Sequence, residues 1–501
     1  MTTESNFAAV EGLEPAAVWR FFAELAGVPR PSKHEHKIRV FVRQRAEGLG
    51  LAVREDHAGN LVIQVPASPG HENAPVTVLQ GHLDMVCEKN AETQHDFQND
   101  PIRLVVDNDP KTGQQIVRAA GTTLGADNGV GLALALAAAT SPEVVHGPLE
   151  ILCTVDEEMG MSGAKVLEPD FIKGRRMLNL DSEEDDALYI GCAGGCDTTL
   201  TWNFKTRSPS GRARASRVTV SGLRGGHSGV DIHLNRANAI KLLVQTLSAG
   251  DGRLQLAEFR GGTKRNVIPR EASALVVGPA RVLNAVSQAA QQVQAQAISG
   301  NGEEGCTIRL EPVPPEFAAA VASTADTRRL LTALTALPHG VLAVVPEIAG
   351  LVQTSNSVST IETNLDGGTL RVTVGCLSRS SSLDELAATT RQLAAIGRLA
   401  GAAVESGNQY PGWQPNINSP LLATCRRVYE QLFGESPKVA AIHAGLECGI
   451  IGERIGPGQM DMISFGPHIV GAHSPDERVY VGSVEKSWKY LKAVLAELAR
   501  C

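Results

Sequence analysis

The sequence predicts an α/β fold: a layered α/β domain interrupted by an inserted α+β domain. Three observations carry this expectation. Short strand-like segments at Leu51–Arg54, Leu61–Val65, Val76–Gln80 and Leu149–Val155 are interleaved with the alanine-rich run Val130–Ala139, which reads as a buried helix, and strand, helix and strand in this order build a layered sheet. The texture changes near Gly194, beyond which many short strands alternate with helices. Residues of metal-ligand type cluster from His82 to Asp181 and resume only at His473. A single site drawing on both ends of the chain makes the middle an insertion. The expected division is therefore residues 1–193 with 402–501, and 194–401 between them.

Each element has a local reason. Pro15–Val28 places Val18, Phe21, Phe22 and Leu25 on one helical face, and Pro29-Arg30-Pro31-Ser32 stops that helix. A second amphipathic helix runs from about His34 to Leu49 and ends at Gly50. Val76–Gln80 is apolar on both faces, as a central strand is. In the middle, strands at Arg217–Ser221, Ser273–Val277, Thr307–Leu310 and Leu370–Cys376 alternate with helices near Asn235–Leu247, Ala280–Ala297, Ala325–Leu337 and Ser382–Ala400. A helix near Ser419–Phe433 and a strand at Asp461–Phe465 lead to His473.

Composition bounds the function. With 501 residues the chain exceeds one ordinary domain, and 43% hydrophobic residues supply a sizeable core. A net charge of -8 and a pI near 5.9 give no footprint for nucleic acid. The basic stretch Arg207–Arg217 is broken by Ser, Pro and Gly and reads as a solvated connection. The nine cysteines show no metal-finger spacing, which suits idle thiols in a reducing cytosol. Met1–Glu14 lacks a basic start and an apolar core, and the longest apolar run is too short to cross a bilayer. The expectation is a cytoplasmic protein with neither a nucleic-acid nor a membrane partner.

Five segments carry the chemistry: Gly81-His82-Leu83-Asp84, Gly125-Ala126-Asp127-Asn128-Gly129, Asp156-Glu157-Glu158, Asn179-Leu180-Asp181 and Gly471-Ala472-His473-Ser474-Pro475. Each alone has an ordinary reading. His82 after a glycine suits a structural histidine, Asp127 a helix cap, and Asp156–Glu158 an exposed acidic turn. Glu183–Asp186 read as a solvated loop. Together the segments resist that account, because acids placed side by side repel unless a cation compensates. Two imidazoles with several carboxylates suit zinc, with cobalt or manganese as substitutes.

These segments, with Met159-Gly160 and Asp476-Glu477, resemble the co-catalytic zinc metallopeptidases that include carnosinases, aminoacylases and carboxypeptidase G. The longer stretches Gln80–Val86, Thr122–Gly129 and His443–Gly449 resemble the bacterial aminoacyl-histidine dipeptidase branch, and the similarity runs from about Pro15 onward. The resemblance implies a zinc-peptidase-like catalytic domain with an inserted lid. Asp127 would bridge two zinc ions, His82 and Asp181 would complete one, and Glu158 and His473 the other. Glu157 would be the general base, and Asp84 would orient His82 from behind. Consecutive residues of an extended chain face opposite ways, so the backbone must turn near Glu157 and Glu158 for both to serve. The peptide Asp127-Asn128 would be cis.

In the inserted domain the resemblance makes His227, within Arg224–Gly229, the group that meets the scissile carbonyl and its oxyanion. Asn266 would also bind substrate. Arg379 is a candidate for the substrate carboxylate, Gly445 for the pocket wall and Glu447 for a free amino terminus. The function implied is a cytosolic dipeptidase acting on unblocked dipeptides, Xaa-His included, through a water activated by two zinc ions. The other readings are a tripeptidase or an N-acyl amino acid amidohydrolase of the same fold, or a silent peptide-binding homologue. Relatives imply a homodimer formed through the lid.

Overall fold

Val18, Phe21, Phe22 and Leu25 lie buried along one side of the helix Ala16–Ala26. The computed structural model describes residues 3–209, 213–346, 348 and 350–500. A second helix, His36–Gly48, buries Ile38, Val42 and Ala46 and leaves its charged side in water. The alanine-rich helix Ala126–Thr140 is buried along nearly its whole length. Small side chains let it lie close to the sheet; a Cβ on Gly131 would stand 2.2 Å from the Leu180 carbonyl oxygen.

The chain forms two compact units. The first is Met1–Gly191 with Pro415–Ala441 and Leu446–Cys501, and the second is Cys192–Gln414 with Ile442–Gly445. At the centre of the first lies an eight-stranded sheet, in the order 52–55, 61–65, 149–154, 77–82, 176–179, 461–464, 187–192 and 438–442. Its four middle strands are parallel. Strands Thr77–His82 and Leu149–Thr154 are buried at every residue, as strands covered on both faces must be. A small four-stranded sheet of 104–108, 115–119, 469–470 and 478–480 stands apart from it.

A line of buried polar side chains crosses the middle strands. The Ser182 and Ser464 hydroxyls lie 2.6 Å apart, and Ser464 donates to Asn179 Oδ1. Asn179 Nδ2 donates to Gln80 Oε1 at 2.5 Å, and Gln80 Nε2 donates to Glu447 Oε2 at 2.7 Å. Three strands are thus tied to the helix Glu447–Ile455 by side chains that apolar packing would have left unpaired.

The second unit holds a nine-stranded sheet built around the long pair Val352–Asp366 and Thr369–Ser380, which extends through Gly194–Lys205 to Ala403–Tyr410. The helices Ala239–Ser248, Ala280–Asn301, Thr324–Ala336 and Leu383–Leu399 share one apolar core with it. The sequence reading placed Ala403–Tyr410 with the C-terminal part of the first domain. Its residues pair with 195–201 of Gly194–Lys205, so the second unit runs on to Gln414. Within the stretch Arg207–Arg217, Arg214 opens a strand, while 210–212 lie outside the described residues. None of the eight described cysteines is in a disulfide, and all but Cys87 are buried. Among the described residues no helix is long and apolar enough to cross a membrane.

Candidate metal centre

Three of the five expected ligands stand at the carboxyl ends of the parallel strands, where open α/β sheets place their ligands. His82 is the last residue of its strand, Asp181 lies two residues beyond Asn179, and Glu158 follows the strand that ends at Thr154. Between Thr154 and Glu158 the chain turns at Asp156, whose φ of 56° is left-handed. From the sequence the backbone is expected to turn near Glu157 and Glu158, and this turn lies directly before them. Their amides donate to Asp84 Oδ1 and Oδ2 at 3.0 and 3.2 Å, so the turn is pinned rather than free in solvent. His473 also has a left-handed φ, 63°, in the segment joining the strands 469–470 and 478–480. Such conformations cost of order 1–3 kcal/mol each and collect at functional sites.

The side chains converge on Asp127. His82 Nε2 is 3.0 Å from Asp127 Oδ1 and 3.3 Å from Asp181 Oδ1. His473 Nε2 is 3.3 Å from Asp127 Oδ2 and 2.9 Å from Glu158 Oε2. The Asp127-Asn128 peptide is cis. On its far side His82 Nδ1 donates to the Asp84 carbonyl oxygen at 3.1 Å and lies 3.4 Å from Asp84 Oδ1. His82 is sealed at 1% side-chain exposure, whereas His473 is 54% exposed, so the cluster opens to solvent on the His473 side.

The electrostatics are those of a place waiting for cations. Hydrogen bonds to Asp127 and Glu158 push His473 up to about 11. Burial works against a charged His82, but Asp181, Asp127 and Asp84 together raise it well above the usual imidazole range. Burial alone would raise Asp84, yet hydrogen bonds from His82, Ser32 and the Glu157 amide hold it at about 2. Burial, with the charges of Asp127 and Glu158, lifts Asp181 to about 7. Burial likewise puts Glu157 well above the carboxylate range. Glu158 Oε1 is buried without a hydrogen-bond partner, and His82, Asp127 and Glu158 offer atoms within 4.8 Å of one another. This donor set fits divalent metal.

Glu447, expected to meet a free amino terminus, is fully buried; its Oε2 accepts from Gln80 and Thr154, and its Oε1 has no hydrogen-bond partner. Burial raises it to about 8. Glu183, expected in a solvated loop, is half-buried, and burial with the charge of Asp127 lifts it to about 8. The sequence reading gave no role to Arg30 or Glu477. Arg30 donates to the carbonyl oxygens of Leu83, Asp84 and Gly125, and Glu477 accepts from the amides of Leu124, Gly125, Ala126 and Asp127. Glu477 stood inside a quoted motif; nothing in a helix-stopping Pro-Arg-Pro signals the work of Arg30.

The remaining candidates belong to the second unit. His227 lies on the short strand Gly226–His227, paired with Val267–Ile268. Its Nδ1 accepts from the amides of Gly229 and Val230 at 3.3 and 2.9 Å. Burial and the charge of Arg379 lower it to about 4, so the neutral ring carries its proton on Nε2. Arg379 is buried; its Nη1 donates to the Tyr410 hydroxyl at 2.8 Å and its Nε has no partner. Asn266 is exposed, and its carbonyl oxygen accepts from the Ser228 amide. Gly445 ends the short segment that also carries the buried His443.

Known proteins resemble this chain in sequence and fold. Residues 78–497 match the model of peptidase family M20/M25/M40. The cytosol non-specific dipeptidase of Escherichia coli (strain K12) is 40% identical over 97% of this chain and 98% of its own. The crystal structure of aminoacylhistidine dipeptidase from Vibrio alginolyticus superposes with a TM-score of 0.88 at 41% identity, covering 97% of this chain and 98% of that one. A tripeptidase from Staphylococcus aureus has the same fold, with a TM-score of 0.59 at 14% identity over 98% of this chain and 100% of its own. Family model and relatives span nearly the whole chain, and it belongs to peptidase family M20/M25/M40.

Proposed function

We propose that the chain is a cytoplasmic dipeptidase that holds two zinc ions and hydrolyses unblocked dipeptides, Xaa-His among them. The observation that carries this reading is the way Asp127 divides its carboxylate. Oδ1 faces His82 beside Asp181, while Oδ2 faces His473 beside Glu158. Each oxygen thus stands beside one imidazole and one further carboxylate, a donor set that would hold one ion. The names of the Escherichia coli and Vibrio relatives support a dipeptidase, and the first of them a cytosolic one.

Two bound ions would polarise the scissile carbonyl and acidify a shared water. Glu157 would take the proton of the attacking water and return it to the departing amine. Asp84 holds the Glu157 and Glu158 amides and backs the His82 ring, so that base and ligands keep fixed places. The second unit acts as lid and dimerisation domain. Its neutral His227 presents Nε2–H to the carbonyl oxygen and to the oxyanion that grows from it. The buried, under-bonded Arg379 takes the substrate's carboxylate, and Asn266 and Gly445 line the binding surface.

The test is a panel of Gly-His, a tripeptide and an N-acetyl amino acid, with and without chelator. Chelator-sensitive cleavage of Gly-His above the other two is expected. Absence of dipeptide cleavage with zinc or manganese present overturns the reading, and preference for the tripeptide or the acylated amino acid reassigns the substrate.

A further inference from the structure

We infer that Arg30 and Glu477 are positioning residues that set the two metal positions separately, Arg30 the one at His82 and Glu477 the one at His473. The inference rests on the two-ion reading above.

Five ligand-bearing segments meet at this centre, and each of these two buried charges joins two of them. From one side, Arg30 Nη1 donates to the carbonyl oxygens of Leu83 and Asp84 at 3.0 and 2.8 Å, and Nη2 donates to that of Gly125. One guanidinium therefore fastens the segment after His82 to the turn before Asp127. From the other side, Glu477 Oε2 accepts from the amides of Leu124 and Gly125 at 2.7 and 3.0 Å, and Oε1 from those of Ala126 and Asp127 at 2.8 and 3.3 Å. Glu477 follows His473 by four residues, so this carboxylate fastens the His473 segment to the same turn. Asp127 sits in the middle, with carbonyls gripped from one side and amides from the other. Neither side chain faces a metal-binding oxygen or nitrogen; each acts through backbone.

The glycines of the motif fit this account. A Cβ on Gly125 would stand 2.5 Å from Arg30 Nη2, and one on Gly129 would stand 2.7 Å from the same atom. Gly125 also has a φ of 68°, which a side chain would resist. The Gly-Ala-Asp-Asn-Gly pattern thus makes room for a guanidinium that lies ninety-odd residues earlier in the chain.

The experiment is calorimetric titration of the full-length, metal-free chain with Co²⁺. The variants are Arg30→Lys, which keeps the charge but loses the fork, and Glu477→Gln, which turns one acceptor oxygen into a donor facing amides. The parent is expected to bind two ions. Each variant is expected to keep one at parental affinity and to bind the other ~10–100-fold more weakly, as outer partners of metal ligands do. Combinations identify which ion is affected. Arg30→Lys added to His82→Ala should change nothing further, whereas added to His473→Ala it should weaken the remaining ion. Glu477→Gln should show the mirror pattern.

Equal weakening of both ions in either variant, or two ions bound at parental affinity, overturns the inference and leaves the two-ion reading standing. A parent that binds a single ion overturns both. If Arg30→Lys does not fold, Gly129→Ala displaces the guanidinium without removing it, and the same titration decides.

Discussion

Glu157 and Glu158 are neighbours in sequence with different proposed work, and they follow directly on the left-handed Asp156. Glu157→Gln should keep its metals, seen by elemental analysis, and lose turnover by ~10²–10⁴-fold, the usual worth of a general base. Retained turnover would place the base elsewhere. The neighbouring carboxylates push His473 up to about 11 and His82 well above the imidazole range, so both should hold protons at neutral pH in the metal-free chain. Binding must expel them, so affinity should rise with pH, and calorimetry in buffers of different ionisation enthalpy should register proton release. No release would mean that the imidazoles are not the ligands.

Glu447 carries a prediction of its own. Unfolded, it ionises near ~4.3; folded, at about 8. Between those values the unfolded chain has lost a proton that the folded chain keeps, so stability falls as pH rises through that window. Glu447→Gln removes the loss. The melting temperature of the metal-free variant should match the parent's near pH 4 and exceed it at pH 9; equal or lower values at pH 9 would show that the carboxylate charge is welcome.

Among the elements, those legible in the sequence were the ones whose pattern is set locally. The helix Ala16–Ala26 and the strand Leu61–Val65 needed only their own apolar spacing. Gly194–Lys205 went unread because it opens on glycines and carries threonines, and its strand character comes from partners at Thr369–Ser380 and Ala403–Tyr410. The site divides in the same way. The five ligand motifs were visible as residue types beside strand ends, whereas Arg30 works through backbone carbonyls that no pattern marks. Helix Ala126–Thr140 offers a test of close packing. Gly131→Ala would press a methyl on the Leu180 carbonyl oxygen, one residue from Asp181, and should cost ~1–3 kcal/mol in denaturant unfolding, as overpacking does. An unchanged midpoint would mean that the helix shifts freely.

At the scale of the whole molecule, the proposed lid histidine lies in a different unit from every proposed metal ligand. The chain should elute as a dimer. Mixing inactive His227→Ala with inactive Glu157→Gln should restore activity if His227 serves the neighbouring subunit; no recovery after verified subunit exchange would keep it within its own chain. The discontinuity of the first unit also sets a schedule. A ribosome delivers His82, Asp127, Glu158 and Asp181 first, then makes residues 192–414 before His473 and Glu477 emerge. At ~5–20 residues per second that is a wait of roughly ten seconds to a minute. Through that interval the position proposed at His473 lacks both its imidazole and the carboxylate that grips the turn, so it can be completed only in the finished chain, whereas every residue proposed for the position at His82 has already been made.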